Sequence, residues 1–136
     1  MTPHRVLLIE DDPLEAALAR RTLRQIDKTI EVTVLRDGAH FLQFYKKNHP
    51  VRGIGLAIMD LHMPRIDGFG VLKRFKDAGI RAPFPMVMFS SSDDQDDIER
   101  AYDLGATAFV NKPTVPKAYR AAMEHIVNFW LTTNKR

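Results

Sequence analysis

The hydrophobic pattern of the chain consists of five short apolar runs, separated by segments in which apolar residues recur at helical spacing. A continuous aliphatic run is typical of a strand covered on both faces, whereas strict alternation indicates a strand with one more exposed face. The predicted strands are Arg5–Ile9, Ile30–Val34, Leu56–Asp60, Met86–Phe89 and Ala108–Val110. The second of them alternates strictly, so we expect it at a more exposed position.

The last helical segment has the clearest apolar stripe. It runs through Tyr119, Ala122, Met123, Ile126, Val127 and Trp130 at the i, i+3, i+4, i+7 spacing. Strands and helices that alternate five times predict a parallel sheet with helices on both faces. Ligands bind beyond the carboxyl ends of the strands in such sheets. The residues that end strands are therefore the first candidates for function.

Length and composition narrow the class of protein. The 136 residues are 45% hydrophobic, enough for one core, and contain no cysteine, which excludes disulfides, thiolate metal sites and thiol nucleophiles. No apolar run approaches the ~20 residues that cross a bilayer, and no signal peptide is recognisable. The net charge is +3, but the basic residues are scattered, so we predict no nucleic-acid partner and no membrane partner. We expect a cytoplasmic protein with one domain over residues 1–131 and a short polar tail over 132–136.

The strand ends carry charged and hydroxyl side chains. In chain order these are Glu10, Asp11 and Asp12, then Asp60, then Ser90 and Ser91, then Lys112. Neighbouring carboxylates raise one another's pKa, and hard oxygen ligands favour Mg²⁺. With Glu10, Asp11 and Asp60 ionised, three negative charges are balanced by the metal and Lys112. This set fits phosphoryl transfer onto a carboxylate.

Two acidic segments have a structural interpretation instead. Asp12 followed by Pro13, with Glu15 three residues after Asp12, is typical of a helix start with a capping box. Ser92 indicates a second helix start, where the negative charge of the acids after it, Asp93, Asp94, Asp96 and Asp97, suits the helix dipole.

Several stretches together resemble the receiver domain of two-component response regulators over essentially the whole chain. They are Val6–Pro13, Met59–Pro64 with Asp67-Gly68, Met86–Ser91, Gly105-Ala106 and Phe109–Pro113. The resemblance implies an α/β, flavodoxin-like fold: a five-stranded parallel sheet of order 2-1-3-4-5 flanked by five helices. It also implies a phosphoacceptor switch protein, one that catalyses only its own phosphorylation and dephosphorylation and is not otherwise an enzyme.

The resemblance assigns a role to each matching residue. Asp60 corresponds to the phosphoacceptor, which a sensor histidine kinase phosphorylates in a Mg²⁺-dependent reaction. The implied metal ligands are Glu10, Asp11, Asp60 and the backbone carbonyl of His62. Lys112 would pair with the phosphoryl oxygens, and the peptide bond from Lys112 to Pro113 would be cis. Ser90 would be the switch hydroxyl, and Phe109 would be the switch aromatic. The surface of helix 4, strand 5 and helix 5 would then bind a partner or dimerise.

The C-terminal segment His125–Leu131 resembles the final helix of regulators that partner bacterial phytochrome kinases. Phe129 and Leu131 widen its apolar stripe to roughly 200°, whereas burial on one side needs little more than 100°. The surplus predicts a homodimer through the C-terminal helix.

Two points stay open at this level. A receiver that is never phosphorylated, a pseudo-receiver serving as an interaction module, is the alternative function, although the chain keeps every residue that such proteins usually lose. His62 could either obstruct the water that hydrolyses the acyl phosphate or assist it as a base.

Overall fold

The computed structural model describes residues 4–133, so positions 134–136 of the predicted polar tail lie outside the described residues. Strands and helices alternate along this part of the chain. They are β1 (Arg5–Ile9), α1 (Pro13–Ile26), β2 (Glu31–Leu35), α2 (Gly38–Lys47), β3 (Leu56–Met59), α3 (Gly68–Asp77), β4 (Met86–Ser90), α4 (Gln95–Asp103), β5 (Ala108–Asn111) and α5 (Pro116–Val127). The predicted strands are found within one residue of these bounds.

All five strands lie parallel in one sheet of order β2-β1-β3-β4-β5. This confirms the predicted fold class and strand order. β1 lies inside the sheet, where Leu7 pairs with Thr33 on one side and with Ala57 on the other. β2 is an edge strand with three half-buried residues, which explains its alternating sequence.

Side chains that alternate along the strands supply two separate cores. In β3, Leu56 and Ile58 belong to the core beneath α1 and α5, whereas Ala57 and Met59 belong to the core beneath α2, α3 and α4. The four residues are almost completely buried. Burying an aliphatic side chain of this size contributes about 1.5–3 kcal/mol, so the runs that identify the strands also hold the helices to both faces.

Aspartate side chains begin four of the helices. Asp12 accepts hydrogen bonds from the backbone N–H groups of Leu14 and Glu15, which confirms its predicted capping role. Asp37, Asp67 and Asp94 cap α2, α3 and α4. The sequence interpretation therefore places the second helix start two residues too early, because Asp94 rather than Ser92 is the cap.

After α5 the chain continues as a π-helix over Asn128–Thr133. Leu131 packs against the α1/α5 core, and a Cβ added to Gly55 would meet its Cδ2 atom at 2.7 Å. Phe129 is 50% exposed. Leu131, on one side of the wide apolar stripe, is thus covered by the core of the same chain, whereas Phe129, on the other side, is exposed to solvent.

No helix among residues 4–133 combines the length and the apolar character that crossing a membrane requires.

Candidate functional site

The carboxyl ends of β1, β3, β4 and β5 meet at one edge of the sheet, as predicted. Backbone hydrogen bonds hold the residues at these ends in line with the ladder. The N–H of Glu10 donates to Leu35 O (3.0 Å), that of Asp60 to Ile9 O (3.1 Å), and that of Lys112 to Ser90 O (2.7 Å). Side chains from four strands are thereby fixed close together.

Lys112 lies at the centre of this edge, with a side chain only 12% exposed. Its Nζ atom is 3.2 Å from Glu10 Oε1, 3.2 Å from Glu15 Oε1 and 3.9 Å from Asp60 Oδ2. We refer to Glu10, Glu15, Asp60 and Lys112 as the acidic pocket. Three carboxylates thus surround one ammonium group.

Burial makes the ionised carboxylates costly. Burial raises the pKa of Glu10 from 4.5 to about 7, although nearby Lys112 and the backbone N–H of Asp12 act in the opposite direction. The pKa of Asp60 is also raised by burial, and again Lys112 opposes the rise. For Lys112, burial alone would lower the pKa, but the charges of Asp60, Glu10 and Glu15 outweigh it and raise the pKa.

The donor set of the acidic pocket fits a divalent metal ion. One oxygen each from Glu10, Glu15 and Asp60 lies within 4.8 Å of the others, a spacing that one ion could bridge. The three ionised carboxylates and Lys112 together carry a charge of −2. Oxygen donors in this arrangement are those that Mg²⁺ or a similar hard cation takes.

The acidic residues after β1 do not all belong to the acidic pocket, and Glu15 differs from the sequence interpretation. Asp11 is exposed and does not belong to the group of close carboxylates found among the described residues. Glu15, which the sequence analysis placed in a capping box, contacts Lys112 instead, and the N–H of Asp12 donates to Glu10 Oε2 (3.2 Å). The capping-box prediction is wrong because the long Glu15 side chain reaches a buried cation nearby. The sequence signal for this contact was the position of Glu15 in the first turn of α1, directly after the end of β1.

Ser90 is completely buried at the end of β4. Its Oγ atom accepts a hydrogen bond from the N–H of Ser92 (3.2 Å). The Ser92 hydroxyl donates to Asp97 Oδ2 (2.8 Å), and Ser92 O accepts from Asn111 Nδ2 (3.3 Å). The loop after β4 is therefore tied to both α4 and β5.

His62 lies at the rim of the acidic pocket. Its backbone N–H is 3.5 Å from Asp60 Oδ1, at the limit of a hydrogen bond, while its side chain is 64% exposed. The imidazole Nε2 lies 3.9 Å from Asp97 Oδ2. The ring is thus directed towards α4.

Phe109 is half-buried in β5 and packs against the α2/α3/α4 core. Its backbone N–H donates to the hydroxyl of Tyr102 (3.0 Å), a residue of α4 that is 48% exposed. Sequence reasoning missed Tyr102, because an exposed tyrosine in a helix carries no signal for a contact with a strand backbone.

The loop after β3, residues 60–67, is fixed at its far end by an ion pair. Arg65 makes two hydrogen bonds to Asp37, at 2.7 and 2.9 Å, and adopts a positive φ of 65°. The guanidinium holds the pKa of Asp37 below its usual range. The N–H of Gly38 also donates to Ile66 O (2.9 Å). These contacts anchor the loop that follows Asp60.

The bond between Lys112 and Pro113 is not cis, contrary to the sequence expectation. Within residues 4–133 the cis bond to proline is His49–Pro50.

Known proteins resemble this chain along nearly its whole length. The family model described as the response regulator receiver domain matches residues 6–124. The probable methanogenesis regulatory protein FilR2 of Methanothrix harundinacea is 30% identical over 136 residues, with 98% of this chain and 87% of the relative covered. The response regulator Rcp1 of Synechocystis is 27% identical over 134 residues, with 96% and 91% covered.

Solved structures give the same picture. The phosphorylated cyanobacterial phytochrome response regulator RcpA superposes with a TM-score of 0.87 at 26% identity, covering 98% of this chain and 97% of that one. The Mn²⁺-bound form of Rcp1 superposes with a TM-score of 0.78 at 26% identity, covering 98% of both chains.

Proposed function

The chain belongs to the response regulator receiver family of two-component signalling, whose members are phosphoacceptor switch proteins, and we propose that it accepts a phosphoryl group on Asp60 from a sensor histidine kinase. The observation that carries the proposal is the buried ammonium of Lys112 beside Asp60 and Glu10. In the transfer, an oxygen of Asp60 attacks the phosphorus of the phosphohistidine. The P–N bond breaks, and the imidazole leaves and takes a proton from solvent.

Lys112 performs two tasks in this reaction. Its positive charge opposes the rise in the pKa of Asp60 and so favours the ionised nucleophile. Because Nζ lies 3.9 Å from Asp60 Oδ2, it would also pair with the oxygens of the phosphoryl group that Asp60 receives. Charge neutralisation and positioning account for most of the catalysis of phosphoryl transfer.

Mg²⁺ is the proposed cofactor. Glu10 and Asp60 would hold it with Asp11 and the backbone carbonyl of His62, and Glu15 is an additional candidate because its carboxylate belongs to the close group. When bound, the ion neutralises the carboxylates and the transferred phosphoryl group. The Mn²⁺-bound form of Rcp1 is consistent with a divalent ion in a related protein.

Ser90 and Phe109 form the proposed switch. The Ser90 hydroxyl would turn to bond the phosphoryl group, and Phe109 would respond by changing its position between α4 and α5. A shift of a few kcal/mol between two arrangements is sufficient to change the surface that a partner meets. That surface, formed by α4, β5 and α5, is the one we propose for partner binding or dimerisation.

The kinase is proposed to be of the bacterial phytochrome type, since the related RcpA is a cyanobacterial phytochrome response regulator. The proposal places the protein in the cytoplasm, where ATP supplies such kinases. We also propose a homodimer through the C-terminal helix region, with the half-exposed Phe129 as its apolar contact.

The test is the intact mass of the protein after incubation with Mg²⁺ and acetyl phosphate. We expect a gain of one phosphoryl group, which is lost when EDTA is added beforehand and is absent in Asp60→Asn. Asp77→Asn is the matched control, because Asp77 is exposed and paired with Lys73 on α3. If the wild type gains no mass and also fails to bind beryllofluoride, the protein is an interaction module of the pseudo-receiver type.

A further inference from the structure

A polar network that the phosphoacceptor chemistry does not use links two loops at the rim of the acidic pocket. Its centre is Asp97, in the first turn of α4. Asp97 Oδ2 accepts a hydrogen bond from the Ser92 hydroxyl (2.8 Å) and lies 3.9 Å from His62 Nε2. His62 follows Asp60 by two residues, and Ser92 follows Ser90 by two. One carboxylate oxygen therefore contacts a side chain from each of the loops after β3 and β4.

Ser92 makes hydrogen bonds to four residues. Besides its bond to Asp97, it donates its N–H to Ser90 Oγ (3.2 Å), its hydroxyl accepts from the N–H of Asp94 (3.3 Å), and its carbonyl accepts from Asn111 Nδ2 (3.3 Å). A single residue, Ser92, therefore links Asp97 to the proposed switch hydroxyl of Ser90 through hydrogen bonds.

His62 has the position of an obstruction rather than of a base. A general base must be within hydrogen-bond reach of the water from which it takes a proton. Nε2 faces Asp97 on α4, whereas the contact of His62 with Asp60 is made by its backbone N–H. The ring therefore extends from the loop after β3 towards Asp97 on α4, while the backbone of the same residue lies beside Asp60.

We propose that Asp97 is a positioning residue that prolongs the lifetime of phosphorylated Asp60 by holding His62 and Ser92 together beside Asp60. The inference rests on the proposed function. In hydrolysis, the oxygen of water attacks phosphorus and the bond from phosphorus to the Asp60 oxygen breaks. The products are the Asp60 carboxylate and dihydrogen phosphate, which carries both protons of the water. A side chain fixed beside Asp60 slows the approach of that water.

The experiment follows loss of the phosphoryl mass after removal of acetyl phosphate, at fixed Mg²⁺. Asp97→Ala and His62→Ala should each shorten the half-life about three- to fivefold, because a partly exposed charged contact is weak. The double variant should lose its phosphoryl group no faster than either single variant. Asp96→Ala is the matched control, since it removes an exposed acid from the same helical turn and should leave the half-life unchanged.

Asp97→Asn distinguishes positioning from a general effect on α4. Its amide oxygen still accepts a bond from Ser92 but carries no charge for His62, so its half-life should fall between those of the wild type and Asp97→Ala. The proposal is overturned if Asp97→Ala matches or outlives the wild type, or if Asp96→Ala shortens the half-life equally. Circular dichroism checks folding. If Asp97→Ala does not fold, an unchanged half-life in the exposed His62→Ala variant overturns the proposal. A wild type that gains no phosphoryl group instead refutes the proposed function, and this inference with it.

Discussion

Glu10→Gln should remove much of the pH dependence of stability in the metal-free protein. Glu10 is 6% exposed, and burial raises its pKa from 4.5 to about 7. The folded state therefore binds this proton more tightly than the unfolded state. The resulting stability is fully present below pH 4.5 and is lost as the pH rises through about 7.

The size of the loss follows from the two pKa values. Between about pH 5 and about pH 8, this carboxyl alone lowers the free energy of unfolding by about 2–3 kcal/mol. The raised pKa of Asp60 adds to the loss of stability. Because Asp60 is present in both proteins, the difference between the wild type and Glu10→Gln still reports on Glu10. Glutamine keeps the size of the side chain and cannot titrate.

The assay is urea unfolding followed by circular dichroism in EDTA at these two pH values. The wild type should lose about 2–3 kcal/mol more than Glu10→Gln on going from the lower to the higher pH. Glu99→Gln is the control, because Glu99 is exposed on α4, and it should behave as the wild type does. Equal losses in the wild type and Glu10→Gln would refute the reasoning that burial controls the ionisation of Glu10.

Three further substitutions test how the loops and the switch surface are held. Asp37→Ala removes both the α2 cap and the partner of Arg65, and should lower the free energy of unfolding by about 2–3 kcal/mol in urea titrations; a loss no larger than that of Arg65→Ala would contradict the capping role. Gly38→Ala places a methyl group against the backbone carbonyl of Ile66 and should cost about 1–3 kcal/mol by the same assay, so a neutral effect would show that the loop after β3 moves freely. Tyr102→Phe deletes the acceptor of the Phe109 N–H and should speed amide hydrogen exchange at Phe109, whereas unchanged exchange would mean that this contact does not hold β5.

The strands and the residues at their ends could be predicted because both depend on simple patterns. Runs such as Val6–Ile9 must be buried on both faces, and the parallel order then brings Glu10, Asp60 and Lys112 to one edge. These regularities fix where the backbone goes. They do not fix the direction in which a long side chain extends.

The differences between prediction and structure concern long side chains and special backbone positions. Glu15 has two partners within reach, the N-cap residue and Lys112, and only the packed structure decides between them. Arg65 adopts a positive φ, for which an arginine gives no sequence signal, and the two bonds to Asp37 stabilise it there. Leu131 widens the apolar stripe on a helical wheel, but the π-helix turns it onto the core.

The most direct test of the central claim is the position of the phosphoryl group. The protein is phosphorylated with acetyl phosphate and Mg²⁺, reduced with borohydride, which converts an acyl phosphate of aspartate into homoserine, and mapped by peptide mass spectrometry. We expect homoserine at position 60 and at no other aspartate of the acidic edge. Homoserine at Asp11 or Asp12 with Asp60 intact, or no reduction at all, would contradict the claim that Asp60 is the phosphoacceptor.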